Sequence, residues 1–252
     1  MLLLFPLVVF ILLSLLSLFA VTSTATTTFA IPVDRTTIVM DNWNLKRFSS
    51  SIYGITSDFS GNIYFVEHNG NKIGQLSPAT NTVTEWVIPT NSGGPIGVAF
   101  DSSSGNLYFA ENNTNKIGRL VLSTNTFTEW TMPIKSKSND HGFQNIAFDP
   151  NSHNVYFVEH NGNKIGRLSP ATNTVTEWVI PTNSSGPIGV AFDSSSGNLY
   201  FAENNTNKIG RLVLSTNTFT EWAIGYNPLT IFIDSSGSFY FIGGGGVLGR
   251  LG

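Results

Sequence analysis

One passage of this chain is written twice. Residues 64–130 and 156–222 differ only at Gln75/Arg167 and Gly93/Ser185 across 67 aligned positions. The word Asn-Lys-Ile-Gly carries its lysine at Lys72, Lys116, Lys164 and Lys208, spaced 44, 48 and 44 residues apart. Periods of this length mark units that cannot bury their own apolar faces and must stack on copies of themselves, as propellers and solenoids do.

Each unit reads as four short strands. In the second unit these are "IGVAF" (96–100), "NLYFA" (106–110), "KIGRLV" (116–121) and "FTEWTM" (127–132), separated by the turn words "DSSSG", "ENNTN" and "STNT". Apolar and β-branched runs between Asn, Ser and Gly clusters are the signature of antiparallel strands joined by tight turns. Four-stranded units arranged about an axis make a β-propeller. First strands are expected at 53–59, 96–100, 144–148, 188–192 and 229–233, giving five units. The fifth stops after its third strand, whereas residues 36–45 ("TTIVMDNWNL") carry Trp43 where other units carry Glu-Trp. The expected fold is therefore all-β: a five-bladed propeller over residues 36–252, its last blade completed by an N-terminal strand so that no sheet edge is left open.

Composition narrows the rest. A formal net charge of −3 and only 12% charged residues leave no electrostatic footprint for nucleic acid. With no cysteine there is no disulfide, thiolate nucleophile or thiolate metal site. Residues 1–21 form an apolar run broken only by a proline and two serines, followed by small residues that suit cleavage after Ala25 or Ala30. Residues 1–25 are expected to be a signal peptide or a membrane anchor and 26–35 a linker. Both readings place the body outside the cytoplasm, secreted or anchored, with membrane contact only through that segment.

The words "GNIYFVE", "GNKIGQLSPATNTVTEW" and "GPIGVAFD" resemble the virginiamycin B lyase (streptogramin lyase) family and its NHL-like propeller relatives, over essentially all of residues 36–252. That resemblance implies a propeller, seven-bladed in the lyases, which open the lactone of a cyclic antibiotic by elimination. It also implies a magnesium ion and a catalytic histidine in a Pro-His-Gly word at a blade start. The matching positions here are Tyr53, Ile96, Gln144, Ile188 and Leu229. None is histidine, and a general base must take up a proton in place, which neither isoleucine nor leucine can. The family's glutamate on the following strand has counterparts in Glu67, Glu111, Glu159 and Glu203, with Gly243 in the fifth unit.

Strand alternation sets the start of each first strand and the end of each second strand at one rim, so those four glutamates are candidates for a Mg²⁺ or Ca²⁺ site, helped by Asn69, Asn112 and Asn204. Equally, each glutamate can pair with the lysine of its own unit. His68 and His160, in copied rim positions, and His141, in the unrepeated loop 135–143, are candidate acids, bases or ligands. Trp86, Trp130, Trp178 and Trp222 suit packing between blades. Catalysis needs different groups converging on one atom, and copying supplies the same groups at rotated places. The sequence thus points to an exported binding or interaction module with a small molecule, glycan or protein at its rim. The alternative is a metal-dependent carbon–oxygen lyase or lactone hydrolase at the same rim.

Overall fold

A computed structural model of the chain describes residues 51–133, 143–234 and 236–251. The apolar segment 1–25, the linker, the expected closing strand at 36–45 and His141 lie outside the described residues. No helix among the described residues is long and apolar enough to cross a membrane.

The described residues form five antiparallel sheets, and the fold is a five-bladed β-propeller. The first blade comprises β1 (Ile52–Ser57), β2 (Ile63–Glu67), β3 (Lys72–Ser77) and β4 (Thr82–Val87). The second holds β5 (Pro95–Asp101), β6 (Asn106–Glu111), β7 (Lys116–Val121) and β8 (Thr126–Thr131). Next come β9 (Phe143–Phe148), β10 (Val155–Glu159), β11 (Lys164–Ser169) and β12 (Thr174–Val179). The fourth has β13 (Pro187–Asp193), β14 (Asn198–Glu203), β15 (Lys208–Val213) and β16 (Thr218–Ala223). Three strands make the fifth: β17 (Pro228–Ile233), β18 (Phe239–Gly243) and β19 (Val247–Leu251). Every blade runs in strict meander order, and consecutive first strands pack on one another.

Turn chemistry explains the asparagine content. Asn71, Asn115, Asn163 and Asn207 before third strands, and Asn81, Asn125, Asn173 and Asn217 before fourth strands, all adopt φ of 53–56°. Asparagine tolerates that left-handed region better than other side chains with a Cβ. The aspartates after first strands organise the next turn: Asp101 accepts the Ser103 N–H and the hydroxyls of Ser103 and Ser104, and Asp193 repeats the pattern with Ser195 and Ser196. These bonds outweigh burial and hold both carboxyls below their ordinary range.

Between blades lies a repeated apolar layer. Tyr64, Val66, Ile73 and Ile88 of the first blade meet Val98, Leu107, Phe109 and Leu120 of the second. The next joint sets Ala99, Tyr108, Ala110 and Ile117 against Ile146, Val155, Phe157 and Leu168. The glycine of each Asn-Lys-Ile-Gly word makes room for this layer, since a methyl at Gly118 or Gly166 would overlap the Phe109 or Phe157 ring. Three of the four repeated tryptophans reach across as the sequence suggests, while Trp222 is 38% exposed. Trp86 donates its indole N–H to Asn125 (2.7 Å), Trp130 to Asn173 (2.7 Å) and Trp178 to Asn217 (2.9 Å), each acceptor lying in the following blade. Arg119, Arg167 and Arg211 lie 5.5–5.7 Å over Trp130, Trp178 and Trp222. In the first blade Gln75 replaces the arginine and donates to the Tyr64 hydroxyl at 3.1 Å.

Candidate functional site

Glu67, Glu111, Glu159 and Glu203 are the last residues of β2, β6, β10 and β14, and all are buried to 1% exposure or less. Each faces a lysine across the ladder: Glu67 pairs with Lys72, Glu111 with Lys116, Glu159 with Lys164 and Glu203 with Lys208. Among the described residues no three histidines, aspartates or glutamates come together as metal ligands.

The lysines commit their ammonium groups elsewhere. Lys72 contacts Glu85 at 2.9 Å, Lys116 contacts Glu129 at 3.2 Å, Lys164 contacts Glu177 at 2.7 Å and Lys208 contacts Glu221 at 3.2 Å. These second glutamates belong to the Thr-Glu-Trp words on the fourth strands, and the sequence reading passed over them. A constant offset of thirteen residues from lysine to glutamate was the signal. Each joint thus holds two carboxyl groups and one ammonium.

Threonines clamp two of the joints. The Thr90 N–H and hydroxyl, from the linker after β4, donate to Glu129 at 3.2 and 2.6 Å, and the Lys116 ammonium donates to the Thr90 hydroxyl. Thr182 does the same for Glu221. The Thr114 hydroxyl donates to Glu111 at 2.7 Å and that of Thr206 to Glu203 at 3.2 Å. At the third blade Gly162 stands in the Thr114 position, and the linker 132–142 has no threonine. Burial pushes Glu111 and Glu203 up to about 7, and pushes Glu159, further raised by hydrogen bonding with Glu177, to about 8. Partial burial also raises Glu129 and Glu221, but the threonine and lysine hydrogen bonds prevail and hold both below the ordinary carboxylate range.

Above these pairs lies the rim. Asn71 donates to the carbonyls of Ile88 and Thr90 and accepts the Gly93 N–H, and Asn163 repeats this with Ile180, Thr182 and Ser185. The Asn113 amide donates to the Ser92 carbonyl. The His68 ring meets Tyr53 edge-on at 5.3 Å and lies against Gly94, and His160 lies against Gly186. The two histidines therefore occupy equivalent places at separate joints. The fourth histidine, His153, lies 3.1 Å from the Ser103 hydroxyl. At the blade starts Ile96, Ile188 and Leu229 fall within β-bulges, the feature that re-aims side chains at the rims of such folds.

A model of the family described as "Virginiamycin B lyase family" matches residues 21–251. A solved streptogramin B lyase is 28% identical, with a TM-score of 0.68 over 80% of this chain and 68% of its own. Virginiamycin B lyase from Staphylococcus aureus is 25% identical, with a TM-score of 0.67 over 80% of this chain and 70% of its own. A catalytically inactive variant of the latter, solved with quinupristin, matches equally well, at 25% identity and a TM-score of 0.67, covering 80% of this chain and 69% of its own. No curated protein sequence matches the chain.

Proposed function

Since the chain belongs to the virginiamycin B lyase family, we propose that it acts as an exported propeller that binds a ligand at its rim without carrying out the family's elimination. The observation that carries this reading is the set of blade starts. The resemblance assigns the reaction's histidine to that place, and Tyr53, Ile96, Gln144, Ile188 and Leu229 stand there instead. None is a histidine, and the isoleucine and leucine side chains cannot serve as the base that elimination needs.

The rim glutamates support the same reading. A divalent ion would need several oxygen ligands in one shell, whereas each buried glutamate has one carboxyl neighbour, and a lysine ammonium already sits on that neighbour. The described residues therefore do not fit a magnesium or calcium ion at these joints. A rim ligand would instead meet the repeated Asn-rich turns and the linkers between blades, where a small molecule, a glycan or a protein could engage several equivalent places together. Export rests on the apolar run at residues 1–21.

The opposing reading, a metal-dependent lyase or lactone hydrolase using His68, His141 or His160, draws on the 28% identity to a streptogramin B lyase. Quinupristin separates the two. The full chain is incubated with it, with and without Mg²⁺, and the products are read by mass spectrometry. Intact quinupristin in both arms is the expected result, and magnesium-dependent ring opening would overturn the proposal.

A further inference from the structure

In the second, third and fourth blades a lysine adjoins one buried and one half-buried glutamate. Glu159 is 1% exposed, and its Oε1 has no hydrogen-bond donor; the Oε1 of Glu177, on the same joint, has none either. Both carboxyls adjoin one ammonium, that of Lys164, which faces Glu159 across the ladder but sits on Glu177 at 2.7 Å. A carboxylate buried without a donor is costly to keep ionised, and a proton on one of two neighbouring carboxyls supplies the donor that both lack. Glu111 and Glu203 likewise bury a donorless Oε1, and the lysines facing them, Lys116 and Lys208, sit on Glu129 and Glu221 at 3.2 Å.

We propose that each of these three joints binds one exchangeable proton between its two glutamates, balanced by the adjacent lysine. With the proton in place a joint holds one carboxylate, one carboxylic acid and one ammonium, and is neutral. Without it, two negative charges face one positive charge, and one of the two is held out of water, which is costly to sustain.

The surroundings of each pair are accounted for. Around Glu111 stand Lys116 and Glu129, with the Thr90 and Thr114 hydroxyls; around Glu203 stand Lys208 and Glu221, with those of Thr182 and Thr206. Around Glu159 stand Glu177 and Lys164. The neighbouring ionisable rings, His68 and His160, lie against the linker glycines Gly94 and Gly186.

Folding therefore takes up protons. The three glutamates rise from an ordinary 4.5 to about 7, 8 and 7, so the folded chain holds more protons than the unfolded one across that interval. Their contribution to stability is complete below about 4.5 and is lost as the pH climbs through 7 and 8.

The test compares the full chain with the triple variant Glu111→Gln/Glu159→Gln/Glu203→Gln, in which an amide N–H₂ supplies the donor permanently. Infrared spectra are expected to show a buried carboxylic-acid carbonyl at about pH 6 that disappears by about pH 9, while the melting temperature falls from about pH 4.5 to about pH 8. In the triple variant that band is missing and the decline in melting temperature is abolished. No acid band in the parent at about pH 6, or an unchanged pH profile in the variant, would sink the proposal. So would stabilisation by added Mg²⁺ or Ca²⁺ that the variant loses, because the pairs would then be metal ligands. If the triple variant does not fold, the parent's acid band and the single change Glu159→Gln decide.

Discussion

Ile55 and Ile146 occupy the same place in their blades, each on a first strand and opposite a phenylalanine of the second, Phe65 and Phe157. Ile146 is 4% exposed, and its other counterparts Val98, Val190 and Ile231 are 4–6% exposed, but Ile55 is 71% exposed. The last blade shows the reverse side of the same contrast. Leu248 is 74% exposed where Ile73, Ile117, Ile165 and Ile209 are fully buried, and Phe232 is 62% exposed where Ala99 and Ala147 are 9%. Identical strand chemistry thus yields core or surface according to whether a neighbouring blade lies on that face. Stability in this fold resides in the joints as much as in the blades, as expected for stacked repeats.

The largest expected effect tests that statement directly. Ile146→Ala removes a side chain packed between the second and third blades and should cost about 2–4 kcal/mol in urea unfolding. Ile55→Ala should cost no more than about 0.5 kcal/mol, the scale of an exposed substitution. Equal losses would break the comparison and place a covering partner on the first blade's face.

Next in size are the indole bonds that cross the joints. Trp130→Phe keeps most of the ring and removes the donor to Asn173, leaving that amide oxygen to water. A loss of about 1 kcal/mol is expected. Trp222 is the control, because it is 38% exposed and the fifth blade has no described fourth strand to bring an asparagine up to it. Trp222→Phe should shift the melting temperature much less. A matching shift would mean that the aromatic stack under Arg211, not the indole bond, supplies the tryptophan's contribution.

These contrasts also mark what the sequence could disclose. Strand number, blade boundaries and the tryptophan joints were legible, because apolar runs alternate with Asn, Ser and Gly turns at a fixed period. The reading also named Glu67, Glu111, Glu159 and Glu203 as special, since carboxylates at strand ends amid apolar words need an explanation. Their partners were harder to find. Glu85, Glu129, Glu177 and Glu221 lie two strands away, beside tryptophans that drew attention first. The thirteen-residue offset to the lysine becomes a contact only once the β2–β3–β4 register is known. A metal site was a sound expectation from four carboxylates at one rim. That expectation did not include the copied lysine that reaches each second glutamate, which emerges only from the register.

The smallest expected effect concerns one of the two places where the copies differ. Glycine at 93 lets the Glu111 Oε2 lie where a side chain would begin, and an added Cβ there would meet it. In the other copy Ser185 occupies that place, fully buried, and its N–H and hydroxyl both donate to Asn163 Oδ1, at 2.8 and 2.7 Å. The glutamate below has adjusted: the Thr206–Glu203 bond is 3.2 Å where Thr114–Glu111 is 2.7 Å. Gly93→Ser should therefore import a solution that the chain already contains. The carboxyl moves by a fraction of an ångström, the hydroxyl finds Asn71 Oδ1, and stability changes by less than about 0.5 kcal/mol. Because Glu111 and Glu203 are raised alike, to about 7, the alkaline decline in melting temperature should also keep its midpoint. A loss several times larger, or a displaced midpoint, would show that the two joints are not interchangeable despite their nearly identical sequence, and that the blade on the far side sets the environment of each pair.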